Sequence, residues 1–224
     1  IRETLERKEQ VILFLNRRGY SSFLTCSSCG YVEKCPNCDI SLTYHKSSNM
    51  LRCHYCGYAT KRKKICSKCQ EEFKDYGIGT EKVEEELKSL IKDAKIIRMD
   101  VDTTTTKNAH AKIINSFLEE KYNILVGTQM IAKGLDFPNV TLVGVLNADI
   151  GLNFPDFRSS ETTFSLLNQV LGRSGRGNKE GKVLIQTFNP EHYAIAYTKN
   201  HDYLGFYNEE MKIRKILKLS LIHI

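Results

Sequence analysis

Apolar and polar residues follow two different periods along the chain. Residues 80–94 have apolar side chains at helical spacing, and the residues predicted on one face are Val83, Leu87, Leu90 and Ile91. The same spacing predicts further helices at residues 107–120 and 160–171. Short apolar runs predict buried strands at residues 10–16, 95–100, 123–128, 141–147 and 182–187. Strands that alternate with helices indicate an α/β fold, in which a parallel sheet carries helices on both faces.

One segment, residues 26–75, interrupts this pattern and contains all eight cysteines of the chain. They form four Cys-x-x-Cys pairs, namely Cys26 with Cys29, Cys35 with Cys38, Cys53 with Cys56, and Cys66 with Cys69. Disulfides fit poorly, because the charged N-terminus is not a secretion signal and every pair has the same spacing. A redox motif needs one such pair rather than four. Four thiolates fill the tetrahedral shell of zinc, so we expect two structural zinc sites without an open position for catalysis.

The spacing between the pairs suggests which of them share a metal. Fourteen residues separate Cys38 from Cys53, and they predict a hairpin with strands at 40–44 and 50–52 around a turn at 46–49. A hairpin that carries one cysteine pair before its first strand and one after its second strand can bring both pairs to a single ion. Of the three possible pairings we therefore favour a nested one. The inner site is then Cys35, Cys38, Cys53 and Cys56, and the outer site is Cys26, Cys29, Cys66 and Cys69.

Other residues of this segment have less specific interpretations. Gly30 and Gly57 directly follow a pair, where a left-handed backbone is often needed. His45 and His54 are expected to lie beside the sites or on the surface, because the cysteines already fill two shells. The basic run at 61–64, with Tyr31, Tyr44, Tyr55 and Tyr58, is either a patch for DNA or a solvated loop beside packed tyrosines.

Composition sets limits on the function. The 224 residues are 41% hydrophobic, which suits a globular protein, and no apolar run approaches the length of a membrane span. The chain starts at Ile1 rather than Met, so we expect it to be a piece of a longer protein. The formal net charge of +7 falls to about +3 if two zinc ions are each held by four thiolates. Affinity for nucleic acid must then depend on where the positive charges lie.

Two glycine-containing loops are expected beyond the carboxyl ends of the strands, where parallel sheets bind ligands. They are residues 127–138, GTQMIAKGLDFP, and residues 169–177, QVLGRSGRG. In the second loop Arg173 and Arg176 lie among glycines, which suits phosphate recognition. The alternative is a capped helix end with surface arginines.

These loops carry a resemblance to a known family. QVLGRSGRG resembles motif VI of the superfamily 2 helicases, and ILVGTQMIAKGLDF resembles their motif V. Further segments narrow the resemblance to the PriA family of bacterial replication-restart DNA helicases, and it covers residues 10–190. These segments are LNRRGYSSFLTCSSCGYVEKCPNCD, LRCHYCGY, GIGTEKVEEEL and NFPDFRSSETTFSLLNQV. It implies a RecA-like second helicase lobe with an inserted double-zinc, cysteine-rich module. The expected division is residues 1–25 as the start of the lobe, 26–75 as the zinc insert, 76–201 as the rest of the lobe and 202–224 as a truncated or atypical tail.

The resemblance also implies roles for individual residues. Arg176 resembles an arginine finger that contacts the γ-phosphate of ATP, with Arg173 beside it. Residues implied on the nucleotide side are Gln169, Gly134 and Asp136. Residues implied on the DNA side are Thr128, Gln129, Lys133, Arg17 and Arg18, and for the last two a packing or surface role is the alternative.

The implied activity is ATP-dependent 3′ to 5′ DNA unwinding in replication restart, in the bacterial cytoplasm at the nucleoid. The implied partners are forked or single-stranded DNA, other primosome proteins, the loader of the replicative helicase and single-stranded DNA-binding protein, but no membrane. The chain has no G-x-x-x-x-G-K-[ST] and no D-E-x-H, so ATP with Mg²⁺ is expected to be bound mostly by another lobe, and this chain alone should not hydrolyse ATP. The alternative is a zinc-dependent module that binds forked DNA or primosome partners without chemistry.

Overall fold

The structure is a computed structural model that describes residues 1–15, 23–45, 48–73, 79–132, 136–174 and 179–216. In chain order these residues form α1 (Arg2–Glu6), β1 (Gln10–Leu15), β2 (Thr43–His45), β3 (Met50–Arg52), β4 (Ala59–Lys61), α2 (Thr80–Leu90), β5 (Ile96–Met99), α3 (Ala109–Leu118), β6 (Ile124–Gly127), α4 (Gln129–Ala132), β7 (Val140–Leu146), α5 (Asp149–Leu152), α6 (Ser159–Leu171), β8 (Lys182–Ile185), α7 (Tyr193–Lys199) and α8 (Tyr203–Ile216).

A five-stranded parallel sheet, in the order β5-β6-β1-β7-β8, forms the centre of the lobe. All six residues of the middle strand β1 are buried. Ile12 and Phe14 face the core that contains residues of α3 and α6, whereas Val11, Leu13 and Leu15 face the core that contains residues of α2. Because side chains alternate between the two faces of a strand, this continuous apolar run serves both cores. The predicted α/β fold with helices on both faces is confirmed.

The cysteine-rich segment forms a second, smaller sheet. The antiparallel strands β2, β3 and β4 pair in that order, and Tyr44 lies opposite Leu51. The first two strands form the predicted hairpin, although β2 begins at Thr43 rather than at residue 40. The third strand was not predicted. The core of this zinc module, as we call residues 23–73, contains few residues besides the cysteines, namely Leu24, Leu42, Leu51 and Phe73.

Several helices differ from the prediction. The helix predicted at 80–94 ends at Leu90, because the backbone of Ile91 is extended, with φ −134° and ψ 100°. The segment expected to be an atypical tail forms α8 as far as Ile216, and its Phe206 is buried and stacks on Phe164 at 4.0 Å between ring centroids. Among the described residues, no helix combines the length and the apolar character that crossing a lipid bilayer requires.

Candidate metal centre and helicase edges

The four Cys-x-x-Cys pairs fold into one repeated turn. In the first of them the N–H of Gly30 donates to the carbonyl of Cys26 at 2.9 Å, and the N–H of Cys26 donates to the carbonyl of Tyr31 at 2.8 Å. The same two hydrogen bonds recur in the other three turns. In every turn the residue after the second cysteine has a left-handed backbone, and these residues are Gly30 (φ 71°), Asp39 (φ 53°), Gly57 (φ 76°) and Gln70 (φ 65°). The left-handed backbone expected at the two glycines is therefore present at all four turns.

These turns gather the eight thiols into two groups. One contains Cys26, Cys29, Cys66 and Cys69, and the other contains Cys35, Cys38, Cys53 and Cys56. Within each group the sulfur atoms lie within 4.8 Å of one another. The chain thus brings together the sets of the predicted nested pairing. A closed group of four soft thiolates, with no oxygen or water position, suits a structural zinc ion, and both groups are compatible with zinc binding.

The protonation of the thiols also fits a bound cation. The backbone amide of Tyr58 lowers the pKa of Cys56 to about 6. In the same group, burial and the neighbouring thiols raise the pKa of Cys38 to about 12. Four sulfur atoms at this distance cannot all be ionised unless a positive charge lies between them. A divalent ion supplies that charge and would deprotonate the thiols as it binds.

Part of the basic run at 61–64 holds the zinc module together. The guanidinium of Arg62 lies 5.1 Å from the ring centroid of Tyr44, and the ammonium of Lys63 lies 3.2 Å from the carboxylate of Glu33. Lys61 and Lys64 are exposed. The side chains that remain exposed for a DNA patch, together with those lysines, are Tyr55 and Tyr58. The patch remains a prediction. His45 and His54 contact each other edge to face, at 5.2 Å between centroids.

The first of the two glycine-containing loops, residues 127–138, starts at the carboxyl edge of the lobe sheet. Gly127 ends β6, and a Cβ added there would collide with the carbonyl oxygen of Met99 and the side chain of Ile131. Thr128 donates its N–H to the Met99 carbonyl at 3.3 Å and accepts from the N–H of Ile131 at 3.0 Å. Gln129 then begins α4. Two of the residues predicted to contact DNA therefore lie at the edge where parallel sheets bind ligands. Three others, Arg17, Arg18 and Lys133, lie outside the described residues.

The described part of the second loop, residues 169–174, leads to the opposite edge of the sheet, so the position predicted for it at the carboxyl edge was wrong. Helix α6 connects the parallel strands β7 and β8, and such a crossover returns the chain to the amino-terminal edge. Lys179, just after the loop, lies 2.9 Å from the amide oxygen of Asn139 and 3.7 Å from the carboxylate of Glu9. Asn139 precedes β7 and Glu9 precedes β1. Residues 169–174 therefore lead towards the amino ends of the strands.

Those residues predicted on the nucleotide side that the structure describes also lie towards this amino-terminal edge. Asp136 is exposed, and the buried Phe137 that follows it packs edge to face on Phe117 just before β7. Gln169 lies in the last turn of α6 and donates to the hydroxyl of Ser165 at 3.3 Å. Arg173 is half-buried just past the end of that helix. Gly134 and Arg176 lie outside the described residues. The described members of the two predicted groups thus lie towards opposite edges of one sheet.

Two buried carboxylates at the carboxyl edge were not singled out from the sequence. Asp100 follows β5 and accepts hydrogen bonds from the hydroxyl of Thr80 at 2.6 Å and the N–H of Thr103 at 2.9 Å. Burial alone would raise the pKa of Asp100, but these hydrogen bonds outweigh it and lower the pKa. Asp149 follows β7 and accepts from the hydroxyl of Thr187 and the N–H of Phe188. An Asp at or just beyond the end of a predicted strand was the signal for both.

Comparison with protein families adds to this geometry. Residues 35–61 match the family model described as "PriA DNA helicase Cys-rich region (CRR) domain". Residues 60–178 match the model described as "Helicase conserved C-terminal domain", which is more than half of the chain. The two matches meet in β4, so the cysteine-rich module and the helicase lobe are adjacent parts of one chain.

Curated relatives show the same combination. Over 216 residues the chain is 56% identical to the replication restart protein PriA of Bacillus subtilis, which is 96% of this chain and 27% of that protein. It is 47% identical to the protein of the same name from Synechocystis, and the match covers 96% of this chain and 26% of that protein. It is 45% identical to the protein of the same name from Borreliella burgdorferi, and the match covers 97% of this chain and 33% of that protein. The chain therefore spans about a quarter to a third of the length of these relatives. Among solved structures, the C-terminal domain of the DEAD-box protein Dbp5 aligns at 14% identity and a TM-score of 0.42, with 96% of this chain and 87% of that one covered.

Proposed function

The chain belongs to the helicase conserved C-terminal domain family, and on that premise we propose that it is the second lobe of an ATP-dependent 3′ to 5′ DNA helicase that acts in replication restart. One observation carries this proposal: a PriA-type cysteine-rich region is inserted in a helicase C-terminal lobe that is 56% identical to a replication restart protein. ATP with Mg²⁺ would be bound mostly by a first lobe that carries the P-loop, because this sequence lacks that motif.

The separation of the two predicted groups suggests how the lobe works. Arg176, with Arg173 beside it, would stabilise the charge that develops on the γ-phosphate of ATP. Thr128 and Gln129, with the basic residues predicted on the DNA side, would hold phosphates of the DNA backbone at the carboxyl edge. Helix α4 starts at that edge and packs against α6, and Asp136, four residues after the end of α4, lies towards the amino-terminal edge. Movement at the nucleotide side could thereby be transmitted to the DNA side by a short, packed segment.

Zinc is the ion that we propose for both thiol groups. Its role is structural, because four thiolates leave no position for a reacting water. Forked or single-stranded DNA is the proposed substrate. Other primosome proteins, the loader of the replicative helicase and single-stranded DNA-binding protein are the proposed partners, and the bacterial cytoplasm, at the nucleoid, is the proposed location.

A segment exchange tests the proposal. The matching segment of the Bacillus subtilis replication restart protein is replaced by this chain, and ATP hydrolysis is measured with and without forked DNA. The exchanged protein should hydrolyse ATP when the fork is added, and Arg176→Ala should lower that rate by about 10³-fold, as the loss of an arginine finger does. Arg7→Ala is the matched control, because Arg7 is an exposed arginine that precedes β1 and pairs with Glu9.

Zinc content and melting temperature show whether each exchanged protein is folded. A folded, zinc-loaded exchange that fails to hydrolyse ATP would contradict the proposal. The same holds if Arg176→Ala and Arg7→Ala hydrolyse ATP at equal rates. Fork binding that is lost on removal of zinc, in a protein without ATP hydrolysis, would instead support the zinc-dependent binding module.

A further inference from the structure

The zinc module contacts the helicase lobe through the backbone of one left-handed glycine. Gly30 directly follows Cys29 of the outer site, and a Cβ added to Gly30 would lie 2.5 Å from both Cβ and Cγ of Phe188. Phe188 belongs to the lobe, a few residues after β8. The aromatic side chain thus lies directly against the turn that holds two of the four outer thiols.

A buried carboxylate fixes the position of Phe188. The N–H of Phe188 donates to Asp149 at 2.9 Å, and the hydroxyl of Thr187 donates to the other oxygen of the same carboxylate at 3.1 Å. Asp149 is only 4% exposed and starts α5, just after β7. The contact on Gly30 therefore originates at the carboxyl ends of β7 and β8.

The surroundings of this contact are open. Phe188 lines a cleft of about 630 Å³, together with Tyr31, Tyr55 and Phe157, and also a cavity of about 220 Å³, together with Phe23 and Gln186. The side chain of Phe188 is 49% exposed. A second contact across the large cleft joins Tyr55 of the module edge to face with Phe157 of the lobe, at 6.4 Å between centroids.

We propose that the Gly30–Phe188 contact is a joint that couples the outer thiol site to the carboxyl edge of the helicase sheet. The turn at Cys26–Cys29 has a fixed shape when its thiols hold a metal, and that shape holds Phe188 and, through Asp149, the ends of β7 and β8. Coupling of this kind is reciprocal, so a change at the sheet edge also changes how firmly the outer site holds its ion. This inference rests on the structural zinc proposed above, but it does not rest on helicase activity.

Two glycines of the module make a matched pair for the test. Gly30 and Gly57 both follow the second cysteine of a pair and have nearly equal φ values, 71° and 76°. The backbone strain of Gly30→Ala and Gly57→Ala is therefore similar. A Cβ at Gly57 meets nothing within 4 Å, whereas a Cβ at Gly30 collides with Phe188. A difference between the two variants isolates the contact with the lobe.

The first measurement is hydrogen exchange of the chain loaded with two zinc ions. Gly30→Ala should raise the exchange rate of the Phe188 amide about tenfold, because the turn must move off Phe188 and loosen its bond to Asp149. Gly57→Ala should leave that rate unchanged. Equal exchange at Phe188 in the two zinc-loaded variants would overturn the proposal.

The second measurement follows the coupling in the other direction and does not depend on either glycine variant. In Phe188→Ala, a chelator should remove zinc from the outer site about tenfold faster, while the inner site loses it at the parent rate. Alkylation of the released thiols, mapped by mass spectrometry, distinguishes Cys26 and Cys69 from Cys35 and Cys56. Unchanged release from the outer site, or equal acceleration at both sites, would overturn the joint. Neither readout involves ATP, so a failure here differs from a failure of the proposed function.

Discussion

At the scale of single residues, the start of α7 depends on the protonation of one histidine. The Nδ1 atom of His192 accepts the N–H of Ala194 at 3.2 Å, which it can do only when that nitrogen carries no proton. Burial lowers the pKa of His192, and the nearby positive charge of Lys34 lowers it further. The neutral ring thus suits both its helix-capping role and its surroundings.

Replacing His192 by Asn should remove a pH dependence of stability. The folded-state pKa of His192 lies below its unfolded value, so the neutral ring contributes its full stability above about pH 6.5. That contribution is lost as the pH falls from there through the folded-state pKa. Asn also caps helices but does not titrate. The melting temperature of the parent should therefore fall more steeply between pH 6.5 and 5.5 than that of His192→Asn.

The comparison of the two proteins separates His192 from the thiols. Acid also protonates cysteines and releases zinc. This lowers the melting temperatures of the parent and the variant equally, so it cancels in the difference between the two melting temperatures. Parallel curves for the two proteins over this pH range would show that His192 is not the titrating group.

At the scale of elements, α8 is held to the lobe by a buried ionic network. Arg214 is fully buried, and its guanidinium lies 2.8 Å from the carboxylate of Glu210 and 2.7 Å from that of Glu161 on α6. The hydroxyl of Tyr193 on α7 donates to Glu210 at 2.6 Å, and burial with this hydrogen bond raises the pKa of Tyr193. Arg214 therefore links α8 to α6, and its partner Glu210 links α8 to α7.

Arg214→Met should destabilise the chain by about 3–5 kcal/mol, because it leaves Glu210 buried without its cation. Lys212→Met on the same helix is the matched control. Its ammonium pairs with Glu209 on the surface, with 69% of the side chain exposed, so its loss should change stability by no more than about 0.5 kcal/mol. Urea unfolding of both variants gives the comparison. A second change, Glu210→Leu, should recover much of the stability of Arg214→Met, and equal losses in the two single variants would contradict the role of the network.

These elements also show which kinds of structure the sequence could predict. The apolar runs of β1, β6 and β7 were recognised because strands buried on both faces need such runs. The nested thiol groups were recognised because the hairpin length limits which cysteines can meet. Strand β4 was not recognised, since its Ala-Thr-Lys sequence has no apolar alternation and its ends are exposed. The position of residues 169–174 was misjudged because spacing identifies a helix but not the sheet edge at which the helix ends.

At the scale of the whole molecule, the chain has cores of very different size. The lobe has two extensive apolar cores on the faces of its sheet. The core of the zinc module consists of a few apolar side chains among the cysteines. A segment of this size buries little apolar surface by itself, so a bound metal would supply much of its folding free energy.

Removal of zinc should therefore unfold the module and leave the lobe folded. In hydrogen exchange after treatment with a strong chelator, the amides of β2 and β3 should lose their protection, while those of β1 and β7 keep it. The reason is that the lobe sheet is stabilised by the apolar cores on its two faces, and its strands contain no thiol of either group. Restoring zinc should restore the protection of β2 and β3. Retained protection in the metal-free module would show that its small core suffices, and loss of protection in β1 would show that the lobe depends on the metal as well.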